Sequence, residues 1–134
     1  MQFKRIVLVC GLVVVLLLAG CTDSGGGPTG PTNAPILTNV TVTPSPAHAG
    51  SIIIFAIDYT DISGDLNGGT AVITDNQGFR YNGGVSNAAD TSGTLTTSVE
   101  LSPLVRVGDL LFTIFVIDRA GNQSNLVYAA VTVI

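Results

Sequence analysis

Hydrophobic and polar residues alternate along most of this chain. Beyond residue 35 the period is two, as expected of strands that bury one face. In residues 94–101, Leu95, Val99 and Leu101 alternate with Thr96, Ser98 and Glu100. In residues 51–60, Ile53, Phe55, Ile57 and Tyr59 share one face. Alternation and β-branched runs also predict strands over residues 36–43, 70–74, 110–118 and 126–133, with a short one at 79–81. Turn residues separate them: Pro44-Ser45-Pro46, Asp75-Asn76-Gln77-Gly78, and Ala120-Gly121-Asn122. A Gly-, Asn- and Ser-rich stretch up to Ser92 reads as loop. No window keeps helical i, i+3, i+4 spacing over a useful length.

Two of these strands depart from simple alternation. In residues 110–118, Leu110, Phe112, Ile114 and Val116 alternate with Leu111, Thr113, Phe115 and Ile117. The second face of residues 51–60 holds Ile52, Ile54 and Ala56. A two-sheet sandwich buries one face of each sheet. The second apolar faces are therefore either tolerated β-branched residues or contact surfaces for another protein or another copy of this chain.

The N-terminus follows a different pattern. Met1 to Arg5 is a short basic head, and Ile6 to Leu18 is apolar apart from Cys10. An apolar run of about 13 residues behind a basic head describes a secretory signal, not a membrane span. Leu18-Ala19-Gly20-Cys21 closes it. This ending resembles the lipobox of bacterial lipoproteins. The resemblance implies cleavage between Gly20 and Cys21, and a Cys21 thiol carrying diacylglycerol with a further acyl chain, such as palmitate, on the new amino group. Acyl chains contribute about 0.8 kcal/mol per buried CH2, so such an anchor is stable. Thr22 follows the cysteine and Asp23 comes one place later. By the sorting pattern of that family, this implies the outer membrane. The chain thus divides into a signal peptide (residues 1–20), the lipidated cysteine with a Gly-, Pro- and Thr-rich linker (residues 21–35), and one domain (residues 36–134). The linker has an r.m.s. reach on the order of 20 Å.

Composition now takes on a different meaning. The chain has 134 residues, 46% hydrophobic and only 10% charged. Mean hydropathy is +0.55. Much of that excess belongs to the signal. Without Lys4 and Arg5, the chain keeps three arginines against nine acids, a net of −6. Such a surface repels nucleic acid and anionic lipid, so neither is an expected partner of the domain. The expected contact with the membrane is the lipid on Cys21. With Cys10 removed and Cys21 capped, the domain has no thiol for a disulfide.

Seven short strands in about 100 residues fit an all-β fold, a single immunoglobulin-like antiparallel sandwich. Three stretches resemble bacterial immunoglobulin-like and fibronectin-like modules: Val40 to Pro46 followed by Gly50, Asp61 to Leu66 (DISGDL), and Phe112 to Asn122 (FTIFVIDRAGN). The resemblance implies that the loops after the second and sixth strands lie at one end. Those loops hold Asp61, Asp65 and Asn67, and Asp118 and Asn122, with Arg119 as the nearby cation. Calcium takes six to eight hard oxygens, and these residues supply four or five. Two readings stay open: a calcium site, or Asp and Asn that cap their own turns.

Catalysis has little to build on. The single histidine, His48, lies in a Pro- and Gly-flanked turn, reads as a solvated loop residue, and has no base-orienting neighbour. One His without a free Cys does not close a zinc site. For carbohydrate, the aromatic candidate is Tyr81, beside Phe79 and Arg80. The expected function is a non-enzymatic, lipid-anchored envelope protein outside the cytoplasm. Its domain would serve binding, adhesion or scaffolding, towards a protein partner or itself. The alternatives are a calcium-binding structural domain, or an accessory subunit of a larger extracellular enzyme or filament.

Overall fold

In the computed structural model, residues 33–134 are described. The expected signal peptide, the cleavage pair Gly20 and Cys21, and most of the linker lie outside the described residues. The strands are β1 (Ile36–Thr43), β2 (Ile52–Thr60), β3 (Thr70–Asp75), β4 (Arg80–Gly84), β5 (Ser92–Glu100), β6 (Gly108–Ile117) and β7 (Val127–Val133). They form a three-stranded sheet in the order β1-β2-β5 and a four-stranded sheet in the order β4-β3-β6-β7. Every pairing between these strands is antiparallel. The expected all-β, immunoglobulin-like sandwich is the observed fold. Among the described residues no helix is long and apolar enough to cross a membrane.

The core lies between the two inner faces. Ile53, Phe55, Ile57 and Tyr59 of β2 are buried there, as alternation predicts. Leu110, Phe112, Ile114 and Val116 come from β6 in the facing sheet. Phe55 and Phe112 meet edge to face across the sandwich, with centroids 5.2 Å apart and planes at 84°. Such a pair contributes about 1 kcal/mol beyond its burial. Because β2 and β6 belong to different sheets, their second apolar faces are two separate outer surfaces.

One stretch differs from what local composition suggests. The fourth strand extends through Asn82, Gly83 and Gly84, where the sequence suggests loop. Gly83 pairs with Ala71, and a Cβ there would collide with Thr97 Oγ1 and lie 3.0 Å from the Ser98 carbonyl oxygen. The glycine lets the edge of one sheet approach the other. The fifth strand likewise starts early, at Ser92, opposite Thr60.

Both flanks of the sandwich are stitched across the sheets. On one flank Ser86 and Thr96 exchange backbone bonds of 3.0 and 2.9 Å. On the other, the Ala47 N–H donates to the Thr132 carbonyl and the Ile134 N–H donates to the Ala47 carbonyl, each at 2.9 Å. At the far end of that flank the Asn125 side chain acts as a peptide. Its Oδ1 accepts from the Leu37 N–H at 2.7 Å, and its Nδ2 donates to the Leu37 carbonyl at 2.9 Å. Edge groups that would template pairing with another chain are thereby partly occupied.

The pairing also fixes which end is which. Ile36 opposes Thr60, so the linker reaches the domain at the pole that holds the β2–β3 and β6–β7 loops. The β1–β2, β3–β4 and β5–β6 connections occupy the other pole, roughly 26 Å away along β2.

Candidate functional site: an acidic pole

The β2–β3 loop folds back on its own carboxylates. Asp61 is fully buried (0% exposed) because the loop closes around it. Its Oδ1 accepts from the Ser63 N–H at 3.2 Å and the Ser63 hydroxyl at 2.6 Å. Its Oδ2 accepts from the Asp65 N–H at 3.0 Å. This is an Asx turn, in which the side chain replaces backbone acceptors. Leu66, fully buried, pins the loop to the core. Gly69 passes against β6, where a Cβ would meet the Ile117 carbonyl, and only glycine fits without displacement.

The β6–β7 loop uses the same device. Asp118, 4% exposed, accepts from the Asn122 N–H at 2.7 Å through Oδ1. Its Oδ2 accepts from Asn122 Nδ2 at 2.9 Å. The Arg119 N–H donates to the Asp65 carbonyl at 3.3 Å and ties the two loops together.

The result is a cluster. Asp61, Asp65 and Asp118 each present a carboxylate oxygen within 4.8 Å of the others. Three of the five residues singled out in the sequence therefore meet. The other two make hydrogen bonds of their own. Asn67 Oδ1 accepts from the Ala88 N–H at 3.4 Å. Asn122 contributes through its amide N–H, holding Asp118 in place. One member escaped sequence reasoning. Ser63 Oγ lies within hydrogen-bond distance of both Asp61 Oδ1 and Asp65 Oδ1, and its single proton serves one at a time. An alternating Asp-x-Ser-x-Asp spacing is the only sequence signal of it.

Chemically, three carboxylates from two loops make a hard-oxygen cradle suited to a calcium-sized cation. The donor set fits that ion, with backbone carbonyls or solvent left to complete six to eight ligands. It does not suit zinc, which favours nitrogen and sulfur.

Other candidates resolve differently. His48 is exposed, and its Nδ1 lies 3.0 Å from the Ile134 carbonyl oxygen. Tyr81 is not the exposed sugar platform its position suggests. It is half-buried, and its hydroxyl donates to Asp75 Oδ2 at 2.9 Å. Burial pushes its pKa up to about 12, with the Asp75 carboxylate adding to the rise. Asp75 itself is buried and accepts from the Gln77 and Phe79 N–H groups, each at 2.9 Å, which shapes the β3–β4 turn. The exposed tyrosine is Tyr128 on β7, at 69%.

No family model and no curated protein matches the chain. Among solved structures, it is similar to the PKD domain of M14-like peptidase from Thermoplasmatales archaeon SCGC AB-540-F20. Identity is 20% and the TM-score 0.46, over 74% of this chain and 94% of that chain.

Proposed function

We propose that this chain is a non-catalytic, lipid-anchored module of the cell envelope, whose sandwich serves binding, adhesion or scaffolding. The observation that carries the reading is how the buried carboxylates are used. Asp61, Asp75 and Asp118 each hold their own loop through two or more hydrogen bonds. These acids act as structural pins, each accepting from N–H or O–H donors of its own loop. Leu18-Ala19-Gly20-Cys21 and the Gly- and Pro-rich stretch behind it support the anchor. Thr22 after the cysteine extends the proposal to the outer membrane. Because the linker joins at the acidic pole, such an anchor would attach at that end of the domain and leave the opposite pole the farther from the membrane.

The test is metabolic labelling with an alkyne-bearing palmitate analogue in a bacterial host. The wild-type chain is expected to take up label and to fractionate with membranes. Cys21→Ser is expected to lose both. Label retained by Cys21→Ser refutes the anchor.

A second reading is favoured by a specific observation. The convergence of Asp61, Asp65 and Asp118 within 4.8 Å supports a calcium ion that stabilises the membrane-facing pole. It adds to the first reading, since the ion would stiffen the end where the tether joins.

A further inference from the structure

The outer face of the four-stranded sheet is poorly matched to water. Between Asp109 and Asp118 the outward positions of β3, β6 and β7 carry no charged side chain. Val72 points outward and is nevertheless only 4% exposed, in register with Phe115 and Asn82. Leu111 and Tyr128 stand out from the same face, and a groove of about 580 Å³ lies between them, floored by Thr113 and bordered by Thr74 and Asn76.

One row of this face has a particular order. Arg80 pairs with Thr74, Thr74 with Thr113, and Thr113 with Tyr128. The row crosses all four strands at one level. It begins with an exposed cation on one edge and ends with an exposed aromatic ring on the other.

We propose that two copies of this chain pair face to face through this surface, about a twofold axis that runs parallel to the strands between β3 and β6. Under that axis each Arg80 lies over the Tyr128 ring of the other copy, twice by symmetry, in cation–π contact. Thr74 meets Thr113 nearest the axis. Knob and groove occupy the same patch, as an isologous interface requires. The strand axes of the two sheets are aligned, each strand facing an oppositely directed one, β3 over β6 and β4 over β7, the aligned packing that sheet twist favours.

Electrostatics selects this partner. Three arginines against nine acids beyond residue 5, a net of −6, oppose contact between copies wherever acids meet. The charge-free face with an Arg at its edge is where two such chains approach without that penalty. The axis also puts both Ile36 residues at one end, so both tethers lead to a single membrane. Four strands at about 4.8 Å and seven residues at about 3.3 Å give roughly 450 Å² in projection. That is below the about 800 Å² per partner of a standard interface, so the pair is weak in dilute solution. Shared tethering raises the effective concentration.

The pairing rests on the sheet face and not on calcium, and a failure of either reading leaves a different signature. Two differently tagged full-length copies are co-expressed, one carrying Arg80→Cys and the other Tyr128→Cys. Membranes are treated with a thiol cross-linker that spans about 10 Å, the separation of packed sheets. Cross-linking is expected to be several-fold higher for the mixed pair than for either like pair. Like residues of the two copies stand three strand spacings apart sideways, about 14 Å, in addition to the gap between sheets. Leu111→Asp in both copies is expected to abolish the mixed product. Equal yields in all pairings, no mixed product, or a mixed product that survives Leu111→Asp each overturn the proposal. Arg80 and Tyr128 are exposed, so the three-way comparison decides even if Leu111→Asp fails to fold.

Discussion

Replacing Asp65 by Asn is expected to move stability in opposite directions with and without calcium. The change removes one of three negative charges and keeps the Oδ1 that accepts from Ser63. With oxygens within 4.8 Å, each pair of charges repels by roughly 3 kcal/mol at an effective dielectric of 20. Asp65 is half-exposed, and solvent screening reduces its share to about 1 kcal/mol. Without calcium, Asp65→Asn is therefore expected to raise the melting temperature, by about 4–8 °C for a domain of this size. Under the calcium reading, the ion would stabilise the native chain instead. At calcium ten times above Kd, linkage contributes about 1.4 kcal/mol, or roughly 5–10 °C. The assay is thermal unfolding followed by circular dichroism in chelator, in 10 mM-range calcium, and in magnesium at equal ionic strength. The native chain should respond to calcium and much less to magnesium, and Asp65→Asn should respond to neither. Two results refute the reasoning: an unchanged native melt in calcium, or a variant less stable than the native chain in chelator.

Asn125→Ala leaves the Leu37 N–H and carbonyl without their partner, and urea unfolding is expected to show a loss of about 2 kcal/mol with an unchanged m-value. Thr97→Val is expected to do the opposite. Thr97 is 2% exposed and its Oγ1 has no hydrogen-bond partner among the described residues, so an isosteric methyl should gain about 1 kcal/mol in the same assay. Tyr81 sets an alkaline limit. Its folded pKa of about 12 lies above the ordinary tyrosine value of 10.0, so its contribution is complete below pH 10 and is lost as pH rises towards 12. Stability measured across that window should fall less steeply in Tyr81→Phe.

Alternation made most of the fold legible. The inward residues of β2 and β6 are those the period of two selects, because burial on one face is what the pattern records. β4 was legible only in part, since Gly83 and Gly84 carry no side chain to alternate. The reason Gly83 is glycine lies across the sandwich at Thr97, whereas a Cβ at Gly84 would meet nothing within 4 Å. The acidic site divides in the same way. Asp61, Asp65 and Asp118 could be paired from loop positions, since topology alone brings those loops together. Asn67 and Asn122 could not be sorted, because the direction of a side chain within a loop depends on packing partners such as Ala88. Tyr81 and Tyr128 differ by face. Tyr81 opposes Ile73 and packs against the core, with its hydroxyl on Asp75, whereas Tyr128 opposes Thr113 on the outer face and is bare.

The Asn125 clamp has a mechanical meaning. A domain held at Ile36 and loaded at its far pole is pulled along the axis of β1. Antiparallel hydrogen bonds lie across that axis, so the β1–β2 ladder resists in shear, with its bonds loaded together and not one after another. The first residue inside the tether that is gripped from the opposite sheet is Leu37, held by Asn125 just ahead of β7. Tension entering through the linker is therefore divided between the two sheets at the point of attachment. One amide side chain spares the terminal strand from carrying the whole pull alone.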